Sequence, residues 1–258
     1  MKIFLYDEGA ADTLDIAEIG QYLSQKLNKS EVELRVGPFT PTLSPEDVIS
    51  LSRRLAAIRI QDIRQRLQPG DPLYGEVEFE KRRILGKTKA FGIPYEGLLL
   101  QRIFAGVIPV EQQQLNSINL VFTNRLFTTW DNGDRRYHLR SSIYGMPSVI
   151  STTGIVEAPA KPREYYLHKQ QYESLKKDLT QLKIKFAGRF IDYEDERLTE
   201  VAKGLAMQAV FYALTGNPFC DDKGCRLYNA HWQEDLIFAQ LESDYEFCQQ
   251  HRKLLTQI

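Results

Sequence analysis

The chain has 258 residues, with 33 Lys and Arg against 34 Asp and Glu, long enough for a sizeable core as one large domain or two packed subdomains. The balanced charge, without a long single-sign run, leaves no electrostatic footprint for nucleic acid, and no apolar run approaches the roughly 18 residues of a membrane span. Residues 1–6 are too short an apolar start, and too soon followed by Asp7-Glu8, for a signal peptide, and three cysteines do not suit a disulfide framework. The expectation is a cytoplasmic, soluble chain that binds neither nucleic acid nor membrane.

In chain order, residues 2–6 read as a short buried strand. Residues 10–27 carry a helical stripe (Leu14, Ile16, Ile19, Tyr22, Leu23, Leu27), and residues 32–36 return as a strand. This β-α-β opening suits an α/β layer. Residues 37–43, with Pro38 and Pro41, read as a loop. Ser44-Pro45-Glu46 starts a helix with serine as cap and proline at the first helical position, expected to run to about residue 67 with a solvated arginine face. Residues 68–72, Gln-Pro-Gly-Asp-Pro, break the chain. Residues 75–106, with Phe79, Phe91, Tyr95 and the leucines 98–100, suggest strands and a connection.

Further strands are expected at residues 118–122 and 126–127, then a loop at Asp131-Asn132-Gly133-Asp134. Residues 136–143 alternate, with Tyr137, Leu139 and Ile143 on one side and Arg136, His138 and Arg140 on the other. Residues 146–155 read as one more strand, either an exposed edge free to pair with a partner or a strand bonded within its own sheet. A proline linker at 159–162 leads to an amphipathic helix over 163–182 and a connector at 184–190. A long helix over about 194–214 stops at Gly216-Asn217-Pro218. The expected division is an N-terminal α/β subdomain, 1–115, and a C-terminal subdomain, 116–258, packed closely enough to form one compact unit.

All three cysteines follow that stop. Cys220 and Cys225 bracket Asp221-Asp222-Lys223-Gly224, and Cys248 lies three residues before His251 on what reads as a final helix. Two ligands from a loop and two from one helix face make a closed Cys3His set, the structural zinc pattern. By spacing alone, three buried thiols beside a surface histidine fit as well.

The stretch over 118–258 resembles the C-terminal half of archaemetzincins, zinc peptidases of the metzincin class, whose pattern is HExxHxxGxxHC-x4-C-x-M followed by C-x2-C. Gly216, Cys220 and Cys225 fall into that register, and Cys248-Gln249-Gln250-His251 matches the tail with histidine for the last cysteine. Val149-Ile150-Ser151-Thr152 resembles the strand that precedes the family's metal-binding helix. The resemblance implies a metzincin-like mixed twisted sheet with packed helices, α/β in class, and one structural zinc at Cys220, Cys225, Cys248 and His251. The same register puts Ala209, Val210 and Ala213 in place of the HExxH ligands and base, Phe219 in place of the third histidine, and Leu227 in place of the Met-turn methionine. A catalytic zinc needs about three protein ligands, so this set implies no zinc peptidase chemistry.

The function expected is a zinc-stabilised module that binds a peptide or protein, with a surface formed by Trp130, Arg136, His138, Arg140, Ser151 and Thr152. Two rivals stand beside it. One is a divergent metallopeptidase or hydrolase with ligands outside the long helix, such as His138 with Asp131, Asp134, Glu157 or Glu164, or a site at His168 or His231. The other is a structural subunit of an assembly.

Overall fold

The computed structural model describes every residue except 29, 36, 38–42, 69, 89–91 and 257–258, and of Lys183 only the backbone. The expected loop at 37–43, with Pro38 and Pro41, therefore falls almost wholly outside the described residues, as do Pro69 and Phe91.

The chain opens with β1 (Lys2–Glu8), α1 (Ile16–Lys26) and β2 (Glu31–Arg35). Asp15 caps α1 by accepting from the Glu18 N–H. Next come α2 (Pro45–Ala57), α3 (Tyr74–Ile84), β3 (Pro94–Glu96) and α4 (Gly97–Ala105), then β4 (Ser117–Thr123), β5 (Leu126–Asp131), β6 (Arg136–Arg140), β7 (Ser142–Ile143) and β8 (Ser148–Ser151). The C-terminal part holds α5 (Thr152–Glu157), α6 (Arg163–Ser174), α7 (Thr180–Lys185), α8 (Leu198–Thr215), α9 (Gln233–Ile237) with a π-turn continuing it (Phe238–Glu242), and α10 (Gln249–Leu255).

One sheet has the order β2-β1-β4-β8-β7, parallel except for the last strand. It joins strands from residues 2–35 with strands from residues 117–151. A second sheet, β3-β5-β6, lies beside it. Strand alternation in β1 explains the layers. Ile3 and Leu5 enter a core with α1 and α8, whereas Phe4 and Tyr6 enter one with α2, α4 and the second sheet. A parallel sheet covered on both faces reads as a nearly continuous apolar run, and β4 is buried along its whole length. The expected mixed α/β fold, with a Cys/His cluster near its end, is the fold that forms. No helix among the described residues is long and apolar enough to cross a membrane.

Several boundaries differ from expectation. The Ser44-capped helix ends at Ala57, not near 67, because Arg59 bridges to Tyr95 and turns the apolar Ile58 and Ile60 into an extended segment. The stretch 75–106 is mainly helical. Residues 163–182 form two helices, since Lys176 adopts φ 51° between them. Residues 136–143 split between the two sheets, at β6 and β7.

The largest correction concerns 146–155. Only Ser148–Ser151 is strand, and it is paired on both sides, with β4 and β7. Thr152–Glu157 is a helix capped by the Ser151 hydroxyl, which accepts from Gly154 N at 2.8 Å and donates to the Arg125 carbonyl at 2.8 Å. The β-branched Thr152, Thr153, Ile155 and Val156 favour strand by propensity; the cap and the surrounding core override it. Ser151 and Thr152 are buried and form no binding surface.

Candidate metal centre and neighbouring cleft

Helix α8 stops where Gly216 takes φ 75°, a left-handed conformation that glycine adopts without a Cβ penalty. Asn217 and Pro218 then turn the chain so that Cys220 N donates to the Leu227 carbonyl at 3.0 Å. Inside this reversal Asp222 accepts from Gly224 N at 3.0 Å and from the Tyr245 hydroxyl at 2.8 Å. Gly224 is required there, because a Cβ would stand 2.7 Å from Tyr245 Oη and 2.8 Å from Ser243 Oγ. The loop thus holds Cys220 and Cys225 towards α10, whose N-cap is Cys248 and whose first turn carries His251.

These four residues converge. Every pair of their donor atoms lies within 4.8 Å. Cys220 Sγ is 3.9 Å from Cys248 Sγ, and His251 Nδ1 is 3.7 Å from Cys225 Sγ and 3.0 Å from Cys248 Sγ. A tetrahedral zinc with Zn–S near 2.3 Å requires sulfur pairs about 3.8 Å apart, so the donor set fits zinc in number, chemistry and spacing. Phe211 of α8 packs its ring edge to face with His251, centroids 5.2 Å apart, which holds the imidazole in place. Burial pushes the Cys220 thiol up to about 12, raises Cys225 and depresses His251. These shifts favour the neutral forms of Cys220, Cys225 and His251 when no metal is bound, and metal binding would release thiol protons.

Of the positions matched to the lost HExxH pattern, Ala209 and Val210 are fully buried in the sheet-facing core of α8 and Ala213 is exposed near its end. Phe219 stands at the rim of a cleft of about 290 Å³, lined by Arg140, Ser142, Tyr144, Gln208, Phe219 and His231 among others. The rings of Tyr144 and Phe219 meet edge to face at 5.9 Å. Tyr144 is pinned by its hydroxyl, which accepts from Ser142 and donates to Gln208.

The rest of the expected surface is dispersed. Trp130 packs edge to face on Tyr137, with centroids 5.1 Å apart. Asp131, Asp134 and His138 bring their ligand atoms within 4.8 Å of one another on the β5–β6 turn. There Asp134 Oδ2 already faces Arg136 Nε and His138 Nε2, each at 2.7 Å, and Asp131 Oδ1 accepts from Gly133 N. A cation would have to displace a guanidinium from Asp134. His168 pairs with Lys185 on the exposed α6–α7 face, away from the cleft lining that includes His231.

A buried charge cluster had no counterpart among the sequence expectations. Arg125, sealed from solvent, donates to Glu8 Oε1 at 3.0 Å and to Glu80 Oε2 at 2.6 Å, while Arg59 and the Tyr95 hydroxyl also donate to Glu80. Fully buried charges are uncommon unless paired, but a lone Arg or Glu in sequence carries no mark of its partner.

The fold and site define a mixed α/β protein with a four-donor Cys/His cluster beyond the end of α8. The family model for the probable metallopeptidase family DUF6775 matches residues 1–258, and the chain belongs to that family. Among solved structures it is similar to a zinc-dependent peptidase from Methanocorpusculum labreanum (strain Z), at 14% identity and a TM-score of 0.47, over 99% of this chain and 100% of that one. No curated protein matches it.

Proposed function

We propose that this member of a probable metallopeptidase family lacks zinc peptidase chemistry and works as a zinc-stabilised module that binds peptide or protein. The observation that carries the reading is a contrast. Cys220, Cys225, Cys248 and His251 supply a complete tetrahedral donor set, whereas α8 presents Ala209, Val210 and Ala213 where the archaemetzincin-like register needs two histidines and a glutamate. A closed set of three thiolates and an imidazole leaves no open position for water or substrate, so the zinc is structural. When bound it would tie the end of α8 to α10 and draw the thiols into their anionic form.

The cleft beside β7 is the binding site in this reading. β7 is the last strand of its sheet, paired only with β8 among the described residues, and an edge can accept an extended segment through backbone hydrogen bonds. The second reading, a hydrolase built on Asp131, Asp134 and His138, has the clustering of those three groups in its favour and the Arg136–Asp134 ion pair against it.

Metal content per chain and turnover of a broad peptide library separate the two. The proposal expects one zinc, lost in Cys220→Ala, and no chelator-sensitive hydrolysis. A second metal retained in Cys220→Ala, together with hydrolysis restored by that metal, would overturn it in favour of the second reading.

A further inference from the structure

The charge of the cleft narrows what it binds, an inference that rests on the binding reading above. The lining contains Arg140 and His231 but neither Asp nor Glu. Elsewhere several half-buried or buried arginines have carboxylates: Arg59 and Arg125 have Glu80, Arg197 has Asp195, and Arg226 has Glu200 and Glu246, while Arg83 donates to the Tyr95 hydroxyl and to Asn124. Arg140 has none among the described residues. Its Nε donates to Thr129 Oγ1 at 2.8 Å, which fixes the plane of the guanidinium and leaves the Nη groups without a counter-charge. A half-buried cation is costly unless its charge is met, and a guanidinium of fixed orientation meets a carboxylate best, through two parallel charge-assisted bonds.

The walls limit the form of that carboxylate. The lining is mixed: Leu205, Phe219 and Leu236 offer apolar contact for a hydrophobic side chain, beside the polar Ser142, Gln208 and Asn229. At about 290 Å³ the cleft lies at the lower end of ligand-site sizes, roughly 300–1,000 Å³. The strand edge is equally short, since β7 is only Ser142–Ile143, of which Ser142 lines the cleft and Ile143 is buried. One cation, a small cleft with a few apolar side chains and a two-residue edge match the end of a chain better than its middle.

We propose that the cleft captures the free C-terminus of an extended peptide, with its carboxylate on Arg140, its last side chains against Phe219 and Leu236, and its backbone along β7.

The test uses the full zinc-loaded chain and three sets of N-acetylated tetrapeptides with the last two positions varied over apolar residues. One set ends in a free carboxylate, one in an amide, and one in an amide with an internal glutamate. Calorimetric titration is expected to detect the free acids, with the amides at least about tenfold weaker, the loss of a charged hydrogen-bonded partner. Arg140→Gln should bring the acids down to the level of the amides while zinc content and melting temperature stay unchanged. Equal binding of acid and amide, or no response to Arg140→Gln, would overturn the carboxylate assignment and leave peptide binding intact. Glutamate amides as tight as the free acids would replace the chain end with an acidic side chain and overturn it too. No binding by any set would remove this inference together with the reading it rests on.

Discussion

Arg125 Nη1 lies 2.6 Å from Glu80 Oε2, and neither side chain is exposed to solvent. The pair connects the β4–β5 junction to α3, and Glu8 at the end of β1 completes the bridge. Arg125 Nη2 has no hydrogen-bond partner among the described residues. The cluster therefore joins both sheets to the α2–α4 layer through charges that must stay paired.

Glu80→Gln is expected to destabilise the protein by about 3–5 kcal/mol at pH 7, because it leaves Arg125 and Arg59 buried with less opposing charge. Burial alone would raise the Glu80 carboxyl, but Arg125, the Tyr95 hydroxyl and Arg59 outweigh it and hold the group below the usual 4.5. A carboxyl depressed in the folded state gives stability that is fully present above its unfolded value and is lost as pH falls through the folded one. Urea unfolding at several pH values should show the gap between wild type and Glu80→Gln widest above about 4.5 and narrowing below it. A gap that grows in acid would contradict the assignment.

Metal removal should lower the melting temperature, since forming the site and docking α10 are one equilibrium. Cys220→Ala should melt at the same temperature with and without chelator. His251→Cys should keep the metal, because it restores a four-thiolate set of permitted chemistry. Equal melts of wild type before and after verified metal removal would contradict a structural role.

Rebuilding the missing histidines should fail for a packing reason. Ala209 is wholly buried, so Ala209→His forces an imidazole into a filled core at a cost of about 1–3 kcal/mol or more. Ala213 is exposed, and Ala213→His should leave stability within about 0.5 kcal/mol. Denaturant midpoints of the two single variants check this difference, and similar values would show that α8 can repack around position 209.

Gly204 lies inside α8, where replacing glycine by alanine would ordinarily gain about 1 kcal/mol. Here an added Cβ would overlap the side chain of Gln240. Gln240 cannot easily withdraw, because its Nε2 donates to the Arg226 carbonyl at 2.8 Å in a buried setting. Overpacking of about 1–3 kcal/mol should outweigh the helical gain, so Gly204→Ala is expected to be destabilising. Thermal melts of Gly204→Ala, with Gly204→Ala/Gln240→Ala as the relieving partner, test the sign.

The amino-acid sequence by itself determined what local rules govern. The apolar run of β1, the Ser44 cap with Pro45, the stop of α8 at Gly216 and the candidate zinc donors were all legible, because caps, periodicity and ligand spacing act over a few residues. The cysteine set could be proposed because its members follow one another closely, although only the folded chain shows their donor atoms all within 4.8 Å of one another. Tertiary structure decided the rest. Whether β8 is an edge or lies between β4 and β7 depends on strand order, which no local pattern encodes, and with it went the availability of Ser151 and Thr152. Arg125 meets Glu80 and Glu8 across 45 and 117 residues, and Arg140 reaches a cleft completed by Phe219 and His231. Those groups acquire partners, or lack them, only when distant segments pack, because burial and counter-charge belong to the assembled surface and not to the residue.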